Sequence, residues 1–145
     1  MVAAGQRVTA AAVTFFMDSV LLPDNHAQSV AATYQDWGST IIIPNPGINV
    51  KVTGMGQGYG FYPSGATNPW VGLRVAISST GGSTFDFGQE SRDEIDINIS
   101  RGGTMVHHFF SGTPTGDIVV KLQHSAESTI PTFFGGRLTA FMVPA

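Results

Sequence analysis

The sequence predicts an all-β fold, an antiparallel β-sandwich or jelly roll of about eight to ten short strands. Three observations carry this. Apolar and polar residues alternate with a period of two in several segments, as strands with one face on a core require. Turn chemistry recurs between those segments, drawn from 18 glycines and 8 prolines. No segment keeps a helical period over ~10 residues. At 145 residues the chain has the length of one domain. It divides into an N-terminal arm, 1–7, and a single jelly-roll domain, 8–145.

Val8 to Met17 reads as the first strand, with Val13, Phe15 and Met17 on one face and Thr14 and Phe16 on the other. A secretory signal fits this segment less well, because Arg7 is its one positive charge and Thr9 and Thr14 interrupt the apolar run. LLPDNHA, Leu21 to Ala27, carries a turn signal. Gln28 to Tyr34 reads as a short strand, with Trp37 following near a turn at Gly38. Ser39 to Pro44 is apolar and closed by Pro44, and Pro46-Gly47 turns the chain. Ile48, Val50 and Val52 then alternate with Asn49, Lys51 and Thr53.

Gly54 to Gly60, GMGQGYG, reads as that strand running into a glycine-rich loop. It is not the dinucleotide fingerprint, because Tyr59 holds the place of the last glycine and no helix follows. Pro63 to Pro69 is loop, and Trp70 to Ser78 is a strand with Val71, Leu73, Val75 and Ile77 inward. Thr80 to Ser83 forms a hairpin turn into a short strand, Thr84 to Phe87. Glu90 to Glu94 is a charged loop. Ile95, Ile97 and Ile99 alternate with Asp96 and Asn98, and Arg101-Gly102-Gly103 turns into Thr104 to Phe110. Thr113 to Gly116 leads to the strand of Ile118, Val120 and Leu122.

The last strand, Arg137 to Val143, is apolar on both sides: Leu138, Ala140 and Met142 face one way, Thr139, Phe141 and Val143 the other. Such a strand needs cover on both faces. Charged residues are 12% of the chain, against about 25% in a typical soluble domain. Together these point to a surface that meets other protein, most simply further copies of the chain. A net charge of −3 and the lack of a basic run argue against a nucleic-acid partner. No apolar run approaches the ~18 residues of a membrane-spanning helix, so no membrane partner is expected. The chain has no cysteine, hence no disulfide or thiolate chemistry.

IIIPNPGINVKV in mid-chain, GDIVVKLQ later and FFGGRLTAFMV at the end together resemble the trimeric jelly roll of the tumour-necrosis-factor and complement-head type. Ile41 to Val143 carries the resemblance. The same fold resembles capsid decoration, head-fibre and tail-tip proteins of tailed bacteriophages. The chain shows no collagen-like stalk, secretion signal or cysteine, which favours the phage branch. The resemblance implies a homotrimer with the terminal strand near a three-fold axis, and Phe141, Val143, Phe109 and Phe16 at the interface. It implies a virion location on the phage head, with the major capsid protein or neighbouring virion proteins as partners. Val2, Gln6 and Arg7 of the arm are then candidates for touching the shell. The alternative is a receptor- or glycan-binding module of a tail or fibre, with Trp37, Tyr59, Tyr62 and Trp70 as contacts. A secreted trimeric ligand of a cell receptor is a third reading.

Catalysis finds little support, and neither cofactor nor metal is expected. His107 and His108 are adjacent, so in a strand they point to opposite faces and cannot share a metal. His108, between Val106 and Phe110, reads as a hydrogen-bonded core histidine. Asp86, Glu90, Asp93, Glu94 and Asp96 crowd one segment, but without the glycine-spaced calcium loop. A solvated acidic edge with Arg92 and Arg101 as partners is the simpler reading. No G-x-S-x-G nucleophile motif occurs.

Overall fold

The computed structural model describes residues 15–63, 69–95 and 101–145. Within them the chain forms strands and no helix: β1 (Phe16–Leu21), β2 (His26–Ala27), β3 (Gln35–Asp36), β4 (Ile41–Ile43), β5 (Val50–Phe61), β6 (Trp70–Ser78), β7 (Asp86–Phe87), β8 (Ser91–Glu94), β9 (Arg101–Gly112), β10 (Ile118–Ala126) and β11 (Thr132–Pro144). They build two antiparallel sheets. The first has the order β1-β11-β5-β9, with β2 also on β11. The second has the order β3-β10-β6-β7, with β4 also on β10 and β8 also on β6. The fold is a jelly-roll β-sandwich, as the alternating patterns require.

The core lies between the sheets. Val52, Leu138, Ala140 and Met142 descend from the first sheet onto Leu73, Val75, Ile77, Ile118, Val120 and Leu122 of the second, and all are buried. At one end Trp37, Phe133 and His124 fill the gap, with ring centroids of Trp37 and Phe133 5.4 Å apart.

Several boundaries differ from the sequence reading, each for a physical reason. The first strand is Phe16–Leu21, because this segment pairs with the end of β11 from Phe16↔Met142 to Leu21↔Arg137. Residues 1–14, including the arm and most of the expected Val8–Met17 strand, lie outside the described residues. Gln28 to Tyr34 is not a strand. Its backbone carbonyls are taken by a side chain instead: Gln28 Nε2 donates to Val30 O at 2.6 Å and Thr33 O at 2.8 Å.

Gly54 to Gly60 is not a loop but the middle of β5, which stays paired to β9 through Phe61↔Arg101. The glycines are there because the opposite sheet leaves no room: a Cβ at Gly54 would stand 2.8 Å from Val75 Cγ1, and one at Gly58 would collide with the Trp37 ring. Ser91–Glu94, expected as loop, is held to β6 from Trp70↔Glu94 to Leu73↔Ser91. Arg101 to Gly103, expected as a turn, opens β9. The expected Thr84–Phe87 strand shrinks to Asp86–Phe87. Ile95 is buried just after β8, and the remainder of the Ile95–Ile99 alternation lies outside the described residues.

Candidate functional site

The alternation of the first sheet decides its outer face. Register places Met17, Phe141, Thr53 and Phe109 side by side across β1, β11, β5 and β9. The next rows are Ser19, Thr139, Met55, His107 and Leu21, Arg137, Gln57, Met105. Val143, Lys51 and Ser111 form the row above. Large apolar side chains stand open to solvent here: Met17 77%, Met105 75%, Leu21 72% and Phe109 51%. Isolated exposed hydrophobics are ordinary, but a contiguous set on one face marks an interaction surface. The charges on these strands, among described side chains, are Lys51 and Arg137 on this face and Asp18, which alternates to the other side of β1; neither cation is in an ion pair. Lys51 instead lies over the Phe109 ring at 5.6 Å.

A bulge dents this face. The pairing of β11 with β5 shifts between Phe134 and Arg137, and Gly135 takes φ 64°, a left-handed backbone that suits glycine. Asp24 Oδ1 accepts the Gly135 N–H at 2.9 Å and pins the bulge. Beside it lies a shallow depression of ≈ 490 Å³, floored by Gly58, Gly103 and Gly135 and walled by Gln57, Tyr59 and Met105. The surface thus carries both projecting side chains and a hollow.

The expected interface residues divide. Phe141 and Val143 point outward on β11, and Phe109 points outward on β9 in the same row as Phe141. Phe16 does not join them. It sits opposite Met142, on the inward side, and packs against the core. Met17, one residue on, takes the place beside Phe141 that had been assigned to Phe16.

The expected ligand-contacting aromatics do not gather on one surface. Trp37 is 1% exposed, with its Nε1–H donating to Pro23 O at 2.9 Å. Tyr62 is buried, and its hydroxyl donates to Trp70 O at 3.4 Å. Both close the sandwich, so neither offers a ring to a sugar. Trp70 is half-buried beneath the Arg92 guanidinium, 3.9 Å from its ring. Tyr59 is outward on β5 and stacks on Phe134 at 5.8 Å. Val2, Gln6 and Arg7 lie outside the described residues.

The acidic segment is dispersed rather than convergent. Asp86 Oδ2 meets His108 Nε2 at 3.0 Å, Glu90 pairs with Arg92 at 3.0 Å, and Asp93 Oδ2 accepts the Gly103 N–H at 2.9 Å. Among the described residues no three histidine or carboxylate groups converge as metal ligands. His108 does point inward and is hydrogen-bonded, but at the sheet edge.

Sequence reasoning missed one polar chain. His26 and His124, distant in sequence, meet at 2.7 Å between Nδ1 and Nε2, and His124 Nδ1 lies 2.8 Å from Gln28 Oε1. Gln28 Nε2 is already donating, so its Oε1 accepts and His124 Nδ1 carries the proton. His124 Nε2 therefore accepts from His26 Nδ1–H. Burial, and then the neighbouring His26, push the His124 pKa down to about 3, so it is neutral. Its ring stacks on Phe133 at 4.0 Å. The signal was available only in hindsight: His124 holds an inward position of a strand otherwise filled by Ile118, Val120 and Leu122.

The architecture defines the chain as a jelly-roll β-sandwich protein, and solved structures agree. It is similar to the infectious bursal disease virus VP2 subviral particle chain, at 12% identity and TM-score 0.56 over 88% of this chain and 32% of that one. It is likewise similar to a chain of the Gx strain of that virus, at 8% identity and TM-score 0.55, again over 88% and 32%. This chain spans about a third of the length of those viral chains. Murine APRIL aligns at 13% identity over 87% of this chain and 98% of its own, with a TM-score of 0.40 that carries no argument. No protein-family model matches the chain, and no curated protein matches it. Identities this low establish the fold alone.

Proposed function

We propose that this is a non-enzymatic structural virion protein, a homotrimer that decorates a phage capsid and uses the outer face of its first sheet as the seam between copies. The observation that carries the reading is that face: Met17, Leu21, Met55, Met105, Phe109 and Phe141 on four adjacent strands, with no carboxylate on those strands facing outward. Three of the strands run 12 or 13 residues. At ~3.3 Å per residue and ~4.8 Å between strands, they present on the order of 600 Å² of projected surface. Accessible area exceeds projected area, which brings the face to the scale of the ~800 Å² per partner that stable interfaces bury.

Copies of this chain suit the face because it holds knobs and a hollow together. A closed ring satisfies every copy equally and ends assembly. The viral setting draws support from the fold shared with VP2, a protein of a virus and a subviral particle, and the phage head from the motif resemblance. Light scattering on the purified protein tests the seam: a trimeric mass for wild type that falls to monomer in Phe141→Asp supports it. A monomeric wild type overturns it. Sedimentation with capsids lacking the protein then tests decoration.

A further inference from the structure

The open face of the first sheet is also where the chain keeps its accessible sulfur. Of the described methionines, Met17 on β1, Met55 on β5 and Met105 on β9 stand on that face, in three successive rows. They are exposed to 77%, 43% and 75%. The remaining one, Met142, lies between the sheets and is 1% exposed. The chain has no cysteine, so these thioethers are the sulfur that an oxidant meets.

We propose that Met17, Met55 and Met105 form a modification site for hydroperoxides, and that their conversion to sulfoxides ends association through this face. The site follows from exposure; the loss of association rests on the trimer-seam reading above. A thioether sulfur attacks the terminal oxygen of the peroxide. The sulfur–oxygen bond forms as the oxygen–oxygen bond breaks. Sulfur is oxidised by two electrons and the peroxide is reduced by two. The proton of the transferred oxygen passes to the other oxygen, which leaves as water, or as an alcohol from an organic hydroperoxide. Each event turns a flexible apolar side chain into a polar, chiral one. On the free chain the new oxygen is solvated and the fold is unaffected, because the core holds only Met142. In a seam the oxygen is buried without a donor or holds the facing surface away. Such groups in every copy weaken association by at least ~tenfold.

Hydrogen peroxide is the probe, and Phe141→Asp, the variant expected to be monomeric, is the accessible reference. Peptide mass spectrometry follows each methionine with time, light scattering follows mass, and far-UV circular dichroism confirms that the chains stay folded. In Phe141→Asp, Met17, Met55 and Met105 are expected to gain one oxygen each at least ~tenfold faster than Met142, with Met55 the slowest of the three. In wild type the same three react more slowly than in Phe141→Asp, and the trimer falls to monomer as they convert. A chain carrying Met17→Leu, Met55→Leu and Met105→Leu keeps its trimeric mass in peroxide. Conversion of Met142 as fast as the other three in Phe141→Asp overturns the site. A wild-type trimer that survives full conversion of the three, or a leucine chain that still dissociates, overturns the effect on association. A wild type that is monomeric before peroxide overturns the seam and that effect together, and its own oxidation rates then decide the site.

Discussion

The two outer faces of the sandwich are built from the same backbone and opposite chemistry. On the second sheet, polar side chains are interlocked. Arg74 Nε donates to Gln123 Oε1 at 2.7 Å, Gln123 Nε2 donates to Asp36 Oδ1 at 2.8 Å, and Lys121 Nζ reaches the same oxygen at 3.0 Å. The Arg74 guanidinium lies between the rings of Tyr34 and Phe87, 4.3 and 4.0 Å from their centroids. Tyr34 donates to Glu90 at 2.7 Å, and burial together with that carboxylate pushes the phenol pKa upward. Glu90 in turn holds Arg92 over Trp70. Every described arginine and lysine there has a partner within the chain. On the first sheet, Lys51 and Arg137 are without ion pairs and the methionines are open. One face is finished within a single copy. The other is unfinished, and that asymmetry is what suggests where further copies go.

The most severe way to break the comparison is to place a charge on each face. Met105→Asp puts a carboxylate beside the hollow of the first sheet. Burying a methionine contributes roughly 1.5–3 kcal/mol per side chain, and the substitution also forces a charge into the seam. Repeated in every copy, this raises the dissociation concentration by at least ~10³-fold at ~1.4 kcal/mol per tenfold. The thermal stability of the separated chain stays within ~0.5 kcal/mol, because Met105 is 75% exposed within it. Mass by light scattering and melting by calorimetry check the two halves. A melt that falls while the mass holds would reverse the assignment of the faces.

Between the faces, acid should act on the core. His124 is neutral in the folded chain, its pKa depressed by burial to about 3, while the unfolded chain binds a proton at its ordinary value. The contribution is therefore whole above the unfolded pKa of about 6.5 and declines as pH falls from there toward 3. At ~1.4 kcal/mol per unit, stability drops by about 2 kcal/mol between neutral pH and about pH 5. Urea unfolding at several pH values measures the slope. His124→Gln removes it, at the cost of a lower plateau because His26 and Gln28 lose a partner. An unchanged slope in that variant would show that His124 does not titrate on unfolding.

How much of this was legible beforehand depends on whether a property is local. The period-two patterns of Ile118–Gln123 and Arg137–Val143 gave those strands their faces, because side-chain alternation is a property of the strand itself. The doubly apolar terminal strand drew attention to the sheet whose outer face carries exposed apolar side chains. What failed depended on partners far along the chain. Gly54 to Gly60 read as loop because glycine weakens a strand, yet Val75, Leu122, Trp37 and Val71 of the other layer require its bare backbone. Trp37 and Tyr62 stood near turn signals and read as exposed, but turns at the end of a sandwich are where large rings plug the core. Phe16 was placed on the outer face because β1's register with β11 is a pairing, which no single segment encodes. The His26–His124–Gln28 chain was invisible for the same reason.

On the finished face the effects shrink. Arg74→Met keeps an apolar stem over Tyr34 and Phe87 and removes the guanidinium. It loses the bond to Gln123 and two ring contacts, each worth ~0.5–1 kcal/mol at a partly exposed site. A fall of about 1–1.5 kcal/mol in unfolding free energy is expected, with no change in mass at any concentration. A loss of assembly in Arg74→Met would place the seam on the second sheet.

The smallest effect sharpens the contrast furthest, because it perturbs the finished face alone. Burial works to raise the Asp36 pKa, but the bonds from Gln123 and Lys121 outweigh it and hold the carboxyl below its ordinary value. A depressed carboxylate contributes stability above its unfolded pKa and loses it as pH falls through the folded one, so its window lies below about pH 4. Asp36 is half-exposed, with 54% of its side chain accessible, and solvent screening limits the contribution to about 0.5 kcal/mol. Asp36→Asn should therefore lower stability slightly at neutral pH and flatten the acid limb below about pH 4, while the mass in solution does not change. If the mass in solution moved with the acid limb in Asp36→Asn, the faces would be energetically coupled through the core, and the division into a finished and an unfinished surface would fail.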